Sequence, residues 1–307
     1  MQKHIKLLRS NISKEHKGLE IGPFFNPIAR KADGWQITVV DILSREDLIK
    51  SVDPQTRYKH PTVVYNIEDV DIIWDWKNKS LEEEVINKIG GNLDYIISSH
   101  SIEHVVDILG FIKSCSNLLK VGGIFNLAIP DLRYTFDFFR SPSTLGQVLS
   151  VHNSKPKRHS SEIYLDAILN QGCRDGDSAW RPNSDHEKVT LLNQKLEDSW
   201  KMYQDNLLSE KHTDCHNWVF TPCSFKLLFF DLWTLGIIDL TVTRMYEEDF
   251  DNGSEFCVQL IKRDRISEGI ASMKSEEIHE YRSKLLSNIV IELAQRVEIG
   301  KLKKENV

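Results

Sequence analysis

Four short apolar runs each end in residues able to do chemistry, and the stretches between them have helical periodicity. The runs are GLEIG at 18–22, ITVVD at 37–41, YIISS at 95–99 and IFNLAIPD at 124–131. Residues 27–32 look helix-like. Ser44, with Glu46 and Asp47 behind it, opens a helix reaching towards residue 60. Residues 63–65 and 70–74 are short strand candidates. Residues 81–89 are amphipathic and stop at Gly90-Gly91, and residues 102–120 read as one helix ending at Gly122-Gly123. Strands alternating with helices dictate an α/β fold, a parallel sheet covered on both faces. In such a sheet a ligand sits beyond the carboxyl ends of the strands, near the switch point. Those ends carry Glu20, Gly22 and Pro23, then Asp41, Asp75, Ser98, Ser99, His100 and Asp131. Gly22 permits a backbone approach that a Cβ would block. Asp41 follows it by about 20 residues, the spacing at which an acid reaches ribose hydroxyls in nucleotide-binding units. The plainer readings are an edge-strand surface acid for Glu20 and a helix cap for Asp41.

The pattern changes after residue 131. Residues 133–215 are polar, helical or irregular, and rich in His, Arg and Asp. A helix at 224–235 and strands at 239–245 and 256–262 then complete the same sheet. Residues 274–307 form one long helix that dimerises or connects to further domains. The domain reading is therefore 1–17, an arm; 18–132, the ligand-binding half; 133–215, a helical insertion; 216–265, a sheet-completing part; and 270–307, the terminal helix. A net charge of −6 offers no basic excess for a nucleic-acid partner. Five scattered cysteines without CxxC spacing fit a reducing compartment. No run of about 18 apolar residues marks a spanning helix, and the N-terminus lacks a signal-peptide core. The expectation is a cytoplasmic protein.

Four blocks resemble the class I S-adenosylmethionine-dependent methyltransferases: GLEIGPFFNP at 18–27, VVD at 39–41, LDYIISSHSIEHV at 93–105 and LLKVGGIFNLAIPD at 118–131. The last two are the more specific. The resemblance covers roughly residues 15–135 and implies a Rossmann-like sheet, mostly parallel with an antiparallel last strand. HNWVFTPCSF at 216–225, with the helix and two strands behind it, is similar to sugar-modifying members encoded with bacterial surface-polysaccharide genes, those of O-antigen and capsule. The implied activity is O-methylation of a sugar hydroxyl of a surface glycan at the chain terminus, by an enzyme held near the inner membrane through partners. A small-metabolite or nitrogen acceptor is one alternative. Another is a non-catalytic scaffold, because the family's ExGxGxG loop is reduced here to one glycine, leaving Asn26 as the candidate for a left-handed turn. The absence of GxGxxG disfavours a nicotinamide dehydrogenase.

The resemblance implies that S-adenosylmethionine lies against Glu20, Gly22, Pro23, Asp41, Ile42, Asp75, Ser98, Ser99 and His100. Glu20 would serve the methionine end, Asp41 the ribose and Asp75 the adenine. His100, Glu103 and His104 are spaced to share a helical face and could hold a divalent metal with a further histidine. In the family such a pair is packing and capping, so no metal is assigned. Deprotonating a hydroxyl acceptor requires a base. The candidates are His216, oriented by Asp214, then Asp214 itself, His100 and Asp131, with His152, His159 and His186 behind them. The insertion's cations and aromatics suit an anionic sugar, with Arg133, Arg158, His159 and Arg181 as acceptor contacts.

Overall fold

The computed structural model describes residues 3–181, 189–192, 195–247, 253–264 and 273–301. Among them the central sheet is built from β1 (Gly18–Ile21), β2 (Ile37–Asp41), β3 (Ile72–Ile73), β4 (Leu93–Ser99), β5 (Leu119–Pro130), β8 (Leu240–Tyr246) and β9 (Glu255–Lys262). Their order is β3-β2-β1-β4-β5-β9-β8. Neighbours from β3 to β5 run parallel, whereas β9 is antiparallel to both β5 and β8. The order reverses between β1 and β4, so a crevice opens at their carboxyl ends.

Alternating side chains fill the two faces. Leu19, Ile21, Val40, Ile96, Phe125 and Leu127 join one large core with α4 (Leu81–Ile89), α5 (Ile108–Leu118) and α9 (Pro222–Thr234). Tyr95, Ile97, Ala128 and Cys257 face the other way, onto Leu8 of α1 (Lys3–Leu8), Ile28 and Trp35.

Five element expectations need correction. The helix expected over 102–120 is a 3₁₀ turn at Ile102–His104 followed by α5, which starts late because the Asp107 carboxylate caps the Gly110 N–H. The glycines behind α5 do not stop a helix. They lie inside β5, where a Cβ on Gly123 would come within 3.0 Å of the Leu93 carbonyl. The helix expected up to residue 60 divides into α2 (Arg45–Ser51) and α3 (Pro54–Lys59), because Pro54 cannot continue α2 and Asp53 caps a new start. Residues 63–65 belong to a 3₁₀ turn, Val63–Asn66, and the 70–74 candidate shrinks to β3. The helix-like segment at 27–32 is irregular, with only a 3₁₀ turn at Lys31–Asp33.

The insertion contributes α6 (Leu145–Ser154), α7 (Ser161–Leu169), a small ladder of β6 (Gly172–Cys173) with β7 (Thr190–Leu191), and α8 (Leu196–Leu208). The terminal helix α10 (Ser275–Lys301) turns back onto α9: Leu285 is buried, Arg282 bonds Asp231 at 3.0 Å, and Glu292 accepts the Cys223 N–H. No helix among the described residues is long and apolar enough to cross a membrane.

Candidate functional site

β1 ends at Gly22, whose φ of +63° turns the chain sharply while its N–H donates to the Val40 carbonyl at 2.8 Å. A Cβ there would lie 2.7 Å from Ser101 Oγ, which is fixed by donating to the Ile21 or Ser99 carbonyl. The left-handed residue expected at Asn26 is instead Phe24, with φ +46°. Asn26 closes the turn by donating its N–H to Pro23, while Phe24 is held by packing against Leu48, Val52, Val63 and Ile67. His100, just past β4, is also left-handed at φ +50°. Two non-glycine residues held left-handed beside one glycine turn put backbone strain at this edge.

Between these ends lies a cleft of about 690 Å³. Gly22, Phe24, Asp41 and Ile42 form its floor, Trp74, Leu81 and Phe111 an apolar wall, and His100, Ser101 and His104 the β4 side. Asp41 ends β2 almost buried, and its Oδ1 accepts the Ile42 N–H at 2.7 Å. Burial outweighs the Ile42 and Leu43 N–H groups and holds its carboxyl above the ordinary value. Among the described residues no donor reaches Asp41 Oδ2. The insertion closes the rim with Lys155, Pro156, Lys157, His212 and Asp214, opposite Trp76 and Lys77. A second cavity, about 370 Å³, lies beyond His100 and is bordered by His4, Asn26, Arg30, Ser99 and Glu255.

Of the residues expected at the cofactor, the cleft thus receives Gly22, Asp41, Ile42 and His100. Ser99 borders the second cavity. Ser98 is buried, and its Oγ has no partner among the described residues. Pro23 lies buried behind the turn. Glu20, read as a ligand to the methionine end, is 1% exposed and turned away. Its carboxylate accepts the Ile28 and Ala29 N–H groups at 2.5 and 3.0 Å, tying down the loop that follows Gly22. Burial pushes its carboxyl up to about 7 against those two donors. Asp75, read as an adenine contact, caps its own turn through Asn78 at 2.9 Å, and its neighbours Trp74 and Trp76 face the cleft instead.

The base candidates separate in the same way. His216 is buried outside the cleft lining. Its orienting acid is not Asp214 but Asp137, 2.5 Å from Nδ1 and itself held by Arg140. Arg140 in turn reaches Asp166 and the His216 carbonyl. Burial opposes ionisation of Asp137, but His216 and Arg140 prevail and keep its carboxyl below the ordinary range. Asp214 pairs with His104, 2.9 Å from Nδ1. His100 Nε2 lies 2.5 Å from Glu255. Burial works against charge on both imidazoles, yet their carboxylate partners leave each above the ordinary histidine value.

Asp131 is locked in a buried bidentate pair with Arg133, which also reaches Gln295 of α10, so neither faces the cleft. Arg158 donates to Asn206, and both ring nitrogens of His159 face carbonyls, those of Thr213 and His104. His152 pairs with Asp107. Arg181 is exposed within the insertion, and His186 lies outside the described residues. Sequence reasoning missed Asp137, Glu255, His212 and Ser101. Only the density of histidines in HTDCHNW at 212–218 hinted at the cluster.

No protein-family model and no curated protein matches the chain. Solved structures do align with it. One from Rhodobacter sphaeroides, provisionally named among Zn-dependent alcohol dehydrogenases, shares 11% identity over 84% of this chain and 88% of its own, with a TM-score of 0.44. An S-adenosylmethionine-dependent methyltransferase from Clostridium acetobutylicum shares 11% over 85% and 96%, at 0.37. The 1,6-didemethyltoxoflavin-N1-methyltransferase of Burkholderia thailandensis, solved with bound 1,6-didemethyltoxoflavin and S-adenosylhomocysteine, shares 9% identity over 85% of this chain and 77% of its own, with a TM-score of 0.40. All three TM-scores lie below 0.5, and the cleft itself, not these likenesses, carries the functional reading.

Proposed function

We propose that the protein is an S-adenosylmethionine-dependent O-methyltransferase acting on a sugar hydroxyl of a bacterial surface glycan. The observation that carries this reading is the pairing of Gly22, at the sheet's switch point, with Asp41 at the end of the neighbouring strand β2. A left-handed glycine opens the floor, and beside it an acid presents one unengaged oxygen at the distance along the chain where ribose diols are held. The fit to the cofactor follows from this donor set. Asp41 would accept from the ribose hydroxyls, a charged and therefore strong hydrogen bond. Gly22 would let the backbone approach the methionine end, and Ile42, Leu48 and Phe111 offer an apolar slot for adenine.

When bound, S-adenosylmethionine supplies an electrophilic methyl on a sulfonium that leaves as a neutral thioether. The chain must align the acceptor oxygen with that methyl and remove the hydroxyl proton. In this reading His100 takes it through Nδ1, which lies 3.7 Å from Glu103 Oε1, with Glu255 at Nε2 stabilising the imidazolium that forms. Trp76 offers an aromatic face for a sugar ring, and Lys77, Lys155 and Lys157 offer charge for an anionic group.

The test offers the protein S-adenosylmethionine with acidic oligosaccharides in one series and small amines in another, and follows S-adenosylhomocysteine release. Release with glycans alone supports the proposal. Release with amines alone would move the acceptor to nitrogen and overturn the sugar assignment.

A further inference from the structure

Beside the cleft, Glu103, His104 and His216 converge, and one ligand atom from each lies within 4.8 Å of the other two. Glu103 is 1% exposed, and neither of its carboxylate oxygens has a hydrogen-bond partner among the described residues. Leaving an ionised carboxylate buried and unbonded is costly enough that such groups are nearly always paired or ligating. Its Oε1 lies 3.8 Å from His104 Nε2, close but too far for a hydrogen bond. Both histidines commit their other nitrogen to a carboxylate: His104 Nδ1 to Asp214 at 2.9 Å and His216 Nδ1 to Asp137 at 2.5 Å. That leaves the Nε2 atoms as the available donors. An outer carboxylate on each imidazole fixes its tautomer and raises its basicity, the arrangement that supports histidine ligands to metals.

We propose that Glu103, His104 and His216 form a three-ligand site for a divalent transition ion of the Zn²⁺ type. Two imidazoles and one carboxylate match the donor set of open zinc sites. Bonds of about 2.1 Å would bring tetrahedral ligand atoms to about 3.4 Å apart, so the three side chains would close in from their present spacing on binding the ion. This is a different set from the His100, Glu103 and His104 trio suggested by helical spacing. His100 leaves the helix path with its positive φ and spends Nε2 on Glu255. A neighbouring group, His159, His212 and Asp214, is the weaker candidate, because both His159 nitrogens already face backbone carbonyls. His104 also lines the cleft, so the ion's open position would face the acceptor side and could lower the pKa of a hydroxyl bound there. Only that last step rests on the methyltransferase reading.

The test needs no cofactor. The full chain, stripped with a chelator and dialysed, is titrated with Zn²⁺ alone, and retained metal is measured by elemental analysis. A Co²⁺-loaded sample adds a visible spectrum that reports coordination number. The expectation is one ion per chain, weakened at least about 100-fold by Glu103→Gln or His216→Ala and about 10- to 100-fold by Asp137→Asn. Glu103→Gln keeps the side chain's shape, and circular dichroism verifies that it folds. No stoichiometric uptake by the wild-type chain would overturn the site. So would uptake that survives both Glu103→Gln and His216→Ala, or that is lost only with His212→Ala. S-adenosylhomocysteine binding without metal binding would overturn this site alone, whereas metal binding without S-adenosylhomocysteine binding would overturn the methyltransferase reading alone.

Discussion

Glu20 makes the stability of this fold depend on pH in a direction opposite to that of most carboxylates. It is fully enclosed, and burial raises its carboxyl from the ordinary 4.5 to about 7, with Glu68 adding to the rise. The Ile28 and Ala29 N–H groups and Arg9 pull the other way without prevailing. The folded state therefore holds a proton between pH 4.5 and about 7 that the unfolded chain has released, so stability falls as pH rises through that window. At 1.36 kcal/mol per pKa unit, the loss attributable to Glu20 approaches about 3 kcal/mol above pH 7. Glu20→Gln removes the titration. It also sacrifices one backbone hydrogen bond, because a Gln amide has a single acceptor oxygen for two N–H donors; that cost, about 1 kcal/mol or more, does not vary with pH. The assay is urea unfolding of both proteins from pH 4.5 to 8. The wild-type minus variant stability should fall by about 3 kcal/mol across the range. Parallel curves, or a difference that grows with pH, would show that the two N–H donors hold Glu20 ionised and that the burial argument is wrong.

Other expectations follow from single contacts. Gly18→Ala would place a Cβ 2.0 Å from Tyr95 Cζ on a fully buried ring. Overpacking of about 2–3 kcal/mol should lower the thermal midpoint by several degrees, and an unchanged midpoint would deny the packing of β1 against β4. Gly22→Ala adds a left-handed penalty of roughly 1–2 kcal/mol to its clash with Ser101, and should weaken S-adenosylhomocysteine at least about tenfold by calorimetry. Leu285→Ala removes the buried anchor of α10. It should cost about 2–4 kcal/mol and expose that helix to limited proteolysis, whereas an unaltered digestion pattern would contradict its docking on α9. Lys155→Ala with Lys157→Ala should raise KM for an anionic acceptor with little change in kcat, and an equal rise for a neutral acceptor would remove the charge role.

The first two strands were legible because each is a short, largely apolar run closed by a glycine or an acid: Gly18–Ile21 and Ile37–Asp41 fall within a residue of where the pattern puts them. Helix boundaries were less so. Residues 102–120 keep helical periodicity across a break, since the cap that sets it, Asp107, looks like any other surface acid in sequence. At the site, Gly22 and Asp41 were readable because local turn chemistry and strand ends place them. The histidine network was not. His216 meets Asp137 from 79 residues away, and His100 meets Glu255 from 155. Only packing of the insertion and of β9 against β5 creates those neighbours. Asp214 beside His216 suggested a dyad that the fold resolves into two separate pairs, because each acid finds a histidine from another segment.

The central claim is that a ribose-bearing cofactor lies across Gly22 on Asp41. Calorimetric titration of S-adenosylhomocysteine into the wild-type chain and into Asp41→Ala tests it most directly. The account predicts one site per chain, weakened by roughly 1.5–3 kcal/mol, about 10- to 150-fold, when the charged acceptor is removed. A folded wild-type chain that binds nothing, or an Asp41→Ala chain that binds as tightly, would contradict it.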